Sequence, residues 1–244
     1  MNDSSPVVVV TGASGGLGQA IALSCGTLGW RVLIHYHENR VEAESVERRI
    51  LAAGADCFVR QADLRDPDAS QQLVRDVIRR WGRIDVVIST AGVIHDRLLV
   101  VMPDADWEHV IAVNLTAAFH LLKAVTPIMI EQGGGVILNV ASLAGLQGRK
   151  GQANYAAAKS GVIALTRSAA LELAPYGIRV NAACPPVVDT AMTRRRASTL
   201  RLQQLLPSDM DVDRAAQAVL GALVLPGISG HTFILDHRIP EGTL

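Results

Sequence analysis

The stretch that decides the fold reads Val7-Val8-Val9-Val10-Thr11-Gly12-Ala13-Ser14-Gly15-Gly16-Leu17-Gly18. Four consecutive valines predict a strand that is covered on both faces, as the strands of a parallel sheet are. The glycines that follow permit positive φ and a close approach of the backbone to a ligand, and a helical pattern begins near Leu17. Because free N–H groups and the dipole at a helix start attract anions, this stretch predicts a strand–loop–helix unit that holds a phosphate group.

The alternation of strand and helix continues along the chain. Further strands are predicted over 32–34, 57–59, 84–88, 136–140, 178–182 and 232–235, and helices over 40–53, 68–81, 107–129, 154–174 and 213–225. Asn39 and Glu42 have the spacing of a capping box at the start of the second helix. Strands separated by helices of ten or more residues indicate βαβ units. We therefore predict an α/β protein: a Rossmann-like, doubly wound parallel sheet of about seven strands in three layers, with helices on both faces.

Length and composition bound the class of protein. The chain has 244 residues, 49% of them hydrophobic, and its 23 basic and 23 acidic side chains give zero net charge. This predicts one domain, 1–244, with a sizeable core. Balanced charge argues against broad binding to nucleic acid or to an anionic membrane, and we predict neither partner.

The cysteines and the apolar runs predict a soluble, cytoplasmic protein. Cys25, Cys57 and Cys184 are odd in number, far apart and without metal-ligand spacing. They are typical of small core residues in a reducing compartment, and we predict no metal site. No apolar run approaches the ~18 residues of a membrane span, and the N-terminus lacks a signal-peptide pattern.

The glycine spacing Gly12-x-x-x-Gly16-x-Gly18, with Thr11 before it, resembles that of the short-chain dehydrogenase/reductase family. The resemblance continues in Asp63-Leu64, Ala91-Gly92, Asn114-Leu115, Ser142, Tyr155-x-x-x-Lys159 and Ile178-Arg179-Val180-Asn181. Each piece alone is common, but their joint occurrence in this order is specific. The resemblance implies a single NAD(P)-binding Rossmann domain with a small substrate lid at about 187–210. It also implies a homo-oligomer, a tetramer or dimer, formed through the helices near 104–130 and 153–174.

Four polar residues resemble the catalytic tetrad of that family: Ser142, Tyr155, Lys159 and Asn114. Tyr155 and Lys159 are four apart, so they share one face of a helix. A phenol with a pKa of about 10 is a poor proton donor near neutrality, and a nearby ammonium lowers that pKa. The resemblance implies that Ser142 hydrogen-bonds the substrate carbonyl oxygen and that Asn114 positions a water leading to Lys159.

Ligands of doubly wound sheets bind beyond the carboxyl ends of the strands, where the remaining motifs of the sequence are found. By this rule and by the resemblance, the expected cofactor-binding residues are Gly12, Ser14, Gly15, Gly16, Leu17, Gly18, Tyr36, His37, Asn39, Arg40, Asp63, Leu64, Ala91, Gly92, Tyr155, Lys159, Pro185, Val188 and Thr190.

The end of the second strand, His35-Tyr36-His37-Glu38-Asn39-Arg40, favours NADP(H) over NAD(H). NAD enzymes place an acid there for the ribose 2′-hydroxyl, and Tyr36 aligns with that acid. Arg40 or His37 would contact a 2′-phosphate, although Arg40 could also be a solvated residue of the first helical turn. Two features favour NAD(H) instead. Glu38 is nearby, and Gly15 stands where many NADP-using relatives have Arg.

The substrate is suggested by the stretches Gly151–Gly161 and Asp106–Leu115, with Asp96, which resemble the 3-oxoacyl-[acyl-carrier-protein] reductases. The implied reaction is reduction of a 3-oxoacyl thioester to the 3-hydroxyacyl thioester, with the substrate bound to a carrier protein, in fatty-acid-like or polyketide-like synthesis. Two alternatives stay open: an oxidoreductase for a free alcohol or ketone, and a weakly active or non-catalytic protein that binds the cofactor.

Several departures from the family pattern stand close to the expected site. They are Ser89-Thr90 before Ala91, Pro185-Pro186 after the sixth strand, and Asp236-His237-Arg238 near the C-terminus. Ser89-Thr90 requires different hydrogen bonds to anchor the fourth strand, and Pro186 fixes φ and lacks an N–H. The basic cluster Arg194-Arg195-Arg196 with Arg201 either meets an acidic carrier or its phosphate, or is a solvated helix face.

Overall fold

The computed structural model describes residues 5–188, 190, 193 and 211–235. Its strands form one sheet in the order β3-β2-β1-β4-β5-β6-β7, and every neighbouring pair is parallel. The strands are β1 (Val7–Thr11), β2 (Arg31–Tyr36), β3 (Cys57–Gln61), β4 (Val86–Ser89), β5 (Gly135–Val140), β6 (Ile178–Cys184) and β7 (Thr232–Ile234). The predicted seven-stranded, doubly wound sheet is confirmed.

Helices cover both faces of this sheet. They are α1 (Gly16–Thr27), α2 (Arg40–Ala52), α3 (Pro67–Trp81), α4 (Asp104–Ile111), α5 (Ala117–Gln132), α6 (Ala144–Gln147), α7 (Ala153–Leu173) and α8 (Val212–Leu223). Short 3₁₀ turns follow at Leu99–Val101 and Ala174–Tyr176, and a π-helical turn at Ala112–Thr116 joins α4 to α5.

The four valines of β1 show why the sheet has three layers. Val8 and Val10 pack into the apolar cluster beneath α1, α2 and α8, whereas Val7 and Val9 pack into the cluster beneath α3, α5 and α7. All four are completely buried. Because successive strand residues point to opposite faces, a run of apolar residues is what a strand between two helical layers requires.

The strand order reverses at β1, and the connections that anchor this point run through threonine side chains. The N–H groups of Thr90 and Ala91 donate to Thr11 Oγ1 over 3.1 and 3.3 Å, and Thr90 Oγ1 donates to the carbonyl of Thr11. These are the hydrogen bonds that the Ser89-Thr90 departure required. They join the carboxyl ends of β1 and β4, where a ligand of a doubly wound sheet binds.

One local prediction about the helices was wrong. Asn39 is the N-cap residue of α2, but its side chain makes no capping hydrogen bond, so the capping box with Glu42 does not form. Its backbone, with φ −87° and ψ 72°, lies outside the extended region that a capping side chain favours.

The helical region predicted over 107–129 is present, but it contains a π turn that the sequence did not predict. The side-chain amide of Asn114 donates to the carbonyl of Val110, four residues earlier, over 2.9 Å. Side chains that bind the i−4 carbonyl compete with the helix backbone, and the chain widens into the π turn at Ala112–Thr116.

The helical stretch Asp104–Gln132 is long and apolar enough to cross a membrane by length and composition alone. Its buried residues Leu121, Val125 and Met129 nevertheless pack against the sheet in the cluster shared with α3 and α7. The core helix of a soluble protein has this character, so the stretch does not alter the class predicted from the sequence.

Candidate active site

The glycine loop is pressed against the end of β4. Gly12 has φ +64°, and a Cβ on it would lie 2.8 Å from Ala91 Cα. A Cβ on Gly18 would collide with the Gly12 carbonyl oxygen and lie 2.6 Å from Thr90 Oγ1. Only glycine fits at these two positions, and α1 starts directly behind the loop at Gly16. The first N–H groups of a helix have no intrahelical acceptor, so the loop presents donors to a ligand.

The loop after β6 approaches the glycine loop from the opposite side. A Cβ on Gly16 would lie 2.8 Å from the Cβ of Thr190. Thr193 Oγ1 donates to the Val188 carbonyl over 2.8 Å and accepts from the Thr190 N–H over 2.8 Å. Thr190 therefore lies beside the glycine loop, and Thr193 connects it to Val188. Residues 189, 191–192 and 194–210, which hold most of the predicted lid and the arginine cluster, lie outside the described residues.

Lys159 is the buried charge of the site. Its side chain is 4% exposed, and Nζ donates to the Val140 carbonyl at the end of β5 over 2.8 Å. Burial lowers its pKa from 10.5 to about 8, and the thiol of Cys184 opposes that shift weakly. Nζ lies 5.8 Å from the centre of the Tyr155 ring. The structure thus places a titratable ammonium next to the predicted phenol.

Asn114 joins this group from the π turn. Its side-chain amide donates to the carbonyls of Val93 and Val110, and its Oδ1 accepts from the Val93 N–H over 3.3 Å. Gly92 lies between the two predicted catalytic residues: a Cβ there would lie 2.5 Å from Asn114 Oδ1 and 3.7 Å from Lys159 Nζ. Gly92 is thus the position at which the β4 loop, α7 and the π turn meet.

Ser142 follows β5, in the turn that leads into α6. Its Oγ accepts from the Ala144 N–H over 3.3 Å, at the start of the short helix α6. Gly145 lets α6 pack closely on α7, since a Cβ on it would lie 2.7 Å from the Lys159 carbonyl carbon. Ser160 Oγ donates to the Gly145 carbonyl and fixes this contact. The structure thus brings Asn114 and Tyr155 close to Lys159, and Ser142 lies at the end of β5 in the turn before α6.

A hydrogen-bonded platform that the sequence did not predict holds the start of α7. Asn154 is fully buried and donates to the carbonyl of His95 over 3.0 Å. It also accepts from the N–H of Tyr155 over 2.7 Å. Gln152, equally buried, donates to Asp96 over 2.9 Å. Two buried amide side chains directly before Tyr155 were the signal available in the sequence.

The residues predicted to bind the adenosine half of the cofactor lie in different environments. Tyr36 is 5% exposed and lies in the apolar cluster beneath α2. Arg40 is 73% exposed and its Nε pairs with Glu44 at 2.6 Å, while Asn39 is exposed at the start of α2. His37 Nε2 lies 3.7 Å from Asp63 Oδ2. Only His37 and Asp63 of this group are brought together.

Asp63 has a partner that the sequence did not reveal. Arg65 binds both of its carboxylate oxygens, with Nε at 2.9 and 3.0 Å and a terminal nitrogen at 2.6 Å. The side-chain hydrogen bonds from Arg65 lower the pKa of Asp63 to about 2, and they outweigh the opposing effect of burial. Leu64 beside it is buried, and its carbonyl lies 3.2 Å from His120 Nδ1. Asp63 therefore stays a carboxylate, held in one orientation, at any ordinary pH.

Comparisons with known proteins agree with this geometry. The sequence profile of a family described as short chain dehydrogenase matches residues 6–201. A 3-oxoacyl-[acyl-carrier-protein] reductase FabG of Staphylococcus aureus is 41% identical over 197 residues, which cover 81% of this chain and 80% of the relative. The reductase of that name from Synechocystis is 41% identical over 190 residues, 78% and 77% of the two chains. The Staphylococcus epidermidis FabG is 40% identical over 205 residues, 84% and 83%.

Proposed function

Since the chain belongs to the short-chain dehydrogenase family, we propose that it uses NADPH to reduce a 3-oxoacyl thioester to the 3-hydroxyacyl thioester. Its class is that of an NAD(P)-dependent oxidoreductase. The substrate proposed is bound to an acyl carrier protein, as the names of the relatives from Staphylococcus and Synechocystis state for those proteins. The observation that carries the proposal is the buried ammonium of Lys159, 5.8 Å from the Tyr155 ring and joined to Asn114 through Gly92.

The residues at the carboxyl end of the sheet fit a dinucleotide. Gly12 and Gly18 let the glycine loop pack against the end of β4, and the N–H groups at the start of α1 would then face a pyrophosphate. Val188 and Thr190 would line the facing side, with Pro185 before them. Ala91 and Gly92 would adjoin the ribose and nicotinamide half. The cofactor, when bound, supplies the hydride.

The side chains of the tetrad supply orientation and a proton. The Tyr155 hydroxyl would donate a proton to the carbonyl oxygen as negative charge develops there. The Lys159 ammonium would stabilise the resulting phenolate, and Ser142 would donate a hydrogen bond to the same oxygen. Lys159 would then return a proton to Tyr155 from a water chain, and Asn114 holds the π turn beside the point where that water would enter.

NADPH is favoured over NADH by the end of β2. Tyr36 cannot repel a 2′-phosphate as a carboxylate would. The exposed guanidinium of Arg40, paired with Glu44, and the imidazole of His37, beside Asp63, would contact the 2′-phosphate. Glu38, 82% exposed beside His37, is the feature that opposes this preference.

Assembly and location complete the proposal. We expect one domain with a lid, in a cytoplasmic homo-oligomer that contacts itself through α5 and α7. The large apolar side chains of Phe119 on α5 and Leu171 on α7 are 44% and 81% exposed in the single chain. The arginines at 194–196 and 201 would meet the acidic carrier protein or its phosphopantetheine phosphate.

The deciding experiment measures oxidation of NADPH and NADH with acetoacetyl thioesters, on a carrier protein and on coenzyme A, beside a panel of free ketones. We expect turnover with NADPH and the thioesters, and the Tyr155→Phe variant should lose it while still binding NADPH. Turnover of free ketones alone would identify an oxidoreductase for small alcohols. NADPH binding without turnover of any compound would identify a cofactor-binding protein.

A further inference from the structure

A buried histidine lies on β2, next to the edge strand of the sheet, and the reaction proposed above does not use it. His35 is on β2 and is 2% exposed. Its Nδ1 lies 3.1 Å from the Gly12 nitrogen, and its Nε2 lies 3.0 Å from the Ala62 carbonyl oxygen. The imidazole therefore spans from the glycine loop after β1 to the residue that precedes Asp63 after β3.

The two partners fix the tautomer of this imidazole. The Gly12 N–H can only donate, so Nδ1 must be the acceptor without a proton. The Ala62 carbonyl can only accept, so Nε2 must carry the proton. Burial, the larger effect, and the nearby His37 lower the pKa of His35 to about 4, although the Ala62 carbonyl and Asp63 oppose this. His35 is thus neutral near pH 7 and makes both hydrogen bonds at once.

The backbone of His35 adds a third connection to the same loop. Its carbonyl accepts from the Ala13 N–H over 2.9 Å, so one residue binds two consecutive N–H groups at the turn. Gly12 is the loop residue with positive φ, and its carbonyl in turn accepts from Gly15 over 3.0 Å. By fixing the orientation of the Gly12 peptide, His35 therefore also affects the position of Gly15, which binds the Gly12 carbonyl.

We propose that His35 is a positioning residue for the cofactor: its neutral imidazole locks the phosphate-binding glycine loop and the adenine-side loop at Asp63 to each other. The proposal depends on the proposed function for the identity of the cofactor as NADPH. His35 would touch neither the cofactor nor the substrate. Its effect is therefore on the affinity for the cofactor, with little effect on the rate once the cofactor is bound.

Two isosteric substitutions separate the two hydrogen bonds. In asparagine, Oδ1 stands where Nδ1 of histidine does, one bond beyond Cγ, so His35→Asn keeps an acceptor for Gly12 and loses the reach to Ala62. In glutamine, Nε2 stands one atom further out, so His35→Gln keeps a donor for Ala62 and loses the acceptor at Gly12. His35→Leu removes both.

The chain offers a matched control in Asn181 on β6. It is 1% exposed and also joins two backbone groups, since it accepts from the His231 N–H over 2.9 Å and donates to the Ile228 carbonyl over 2.8 Å. Asn181→Leu removes a buried polar bridge of the same kind at the far side of the sheet. It reports what the loss of such a bridge does to the fold as a whole.

The test is a fluorescence titration of NADPH into each purified full-length variant, with kcat measured at saturating NADPH. We expect His35→Leu and His35→Gln to raise the Kd for NADPH about tenfold, as expected when a buried donor loses its acceptor. His35→Asn should stay within about threefold of the wild type, and kcat should change little in all of them. Asn181→Leu should lower the melting temperature without changing the Kd.

Hydrogen exchange at the Gly12 amide, measured without cofactor, tests the same idea independently of binding. It should be fast in His35→Leu and His35→Gln and slow in His35→Asn, while Ala13, bound to a backbone carbonyl, stays protected in all three. Unchanged Kd in His35→Leu, or an equal rise in Asn181→Leu, would overturn the proposal and leave the proposed function intact. If the wild-type protein binds no NADPH, the proposed function and the cofactor part of this inference are both wrong. Hydrogen exchange at the Gly12 amide then decides whether His35 fixes the conformation of the glycine loop.

Discussion

Two catalytic side chains at the reaction end of the site are buried and bonded to the backbone, whereas two polar side chains at the adenosine end are exposed and paired with carboxylates. Lys159 and Asn114 are 4% and 2% exposed and donate to the carbonyls of β5, the β4 loop and α4. The side chains of His37 and Arg40 are 48% and 73% exposed and lie beside carboxylates. A proton transfer requires fixed distances, while recognition of a phosphate in water can be adjusted by solvated charges. The two ends should therefore respond to mutation by very different amounts.

The largest effect is expected at Lys159. Lys159→Met removes the ammonium beside Tyr155 and should lower kcat for thioester reduction about 10²- to 10⁴-fold, the usual range for a proton-transfer group. Steady-state kinetics at saturating NADPH measures it. Lys123→Met, an exposed lysine on α5, is the control and should leave kcat unchanged. A Lys159→Met enzyme with half of the wild-type kcat would show that the buried end does not carry the chemistry.

A smaller loss is expected at Asn114. Asn114→Leu leaves the Val93 N–H and the Val93 carbonyl without their partner, and buried groups of this kind cost about 2 kcal/mol in the free energy of unfolding. We also expect kcat to fall about tenfold to a hundredfold, because the π turn beside Lys159 loses its hydrogen bonds. Urea denaturation and kinetics measure the two effects.

The control for Asn114 is Asn139→Leu on β5, where a side chain that is also 2% exposed bonds to Thr166 over 3.0 Å. It should lose a similar free energy of unfolding with little change in kcat. Equal losses of kcat in both variants would mean that Asn114 acts through general stability alone.

Raising the pH above 8 should lower the activity and raise the free energy of unfolding, both through Lys159. Its pKa in the folded protein is lowered to about 8, below the unfolded value of 10.5. Above pH 8 the ammonium is lost, so kcat/KM for reduction should fall by up to about tenfold per pH unit. Between pH 8 and 10.5 the unfolded chain binds more protons than the folded one, so this group raises the free energy of unfolding with pH.

We would measure kcat/KM and the free energy of unfolding from pH 6 to 10 and expect them to change in opposite directions. In Lys159→Arg the charge persists at every pH, and the residual activity should show no fall near pH 8. A wild-type kcat/KM that stays constant to pH 10 would contradict the assigned role of the ammonium.

The smallest effect is expected at Arg40, on the exposed end. Arg40→Ala should raise KM for NADPH about threefold to tenfold and leave KM for NADH unchanged, because a solvated charge contributes modestly. The ratio of the two KM values is the measurement. Arg48→Ala, on the same helix, provides the comparison and should change neither KM. If both cofactors lose affinity equally in Arg40→Ala, then Arg40 does not read the 2′-phosphate.

The sequence predicted more of the buried end of the site than of the exposed end. The valines of β1, the glycine loop and the Tyr155/Lys159 spacing are local patterns with one structural solution, and each was found where it was predicted. The Arg65 clamp on Asp63 and the imidazole of His35 are contacts between residues that periodicity does not relate. The capping box at Asn39 failed because its spacing is necessary for a cap but does not determine the backbone conformation of the cap residue.

The π turn at Ala112–Thr116 makes the site depend on the length of a helix as well as on its residues. A π turn has the geometry of one extra residue accommodated inside a helix, and each residue of a regular helix advances the chain by about 100°. Deleting a single residue within this turn would restore a regular helix with α4 and α5 close to their present orientations, but would move the side chains inside the turn around the helix axis by up to about that angle. Asn114 would then no longer face Val93, although Ser142, Tyr155 and Lys159 would all remain in place. Variants of this protein with an intact set of catalytic side chains could thus be inactive through a change of helical phase alone.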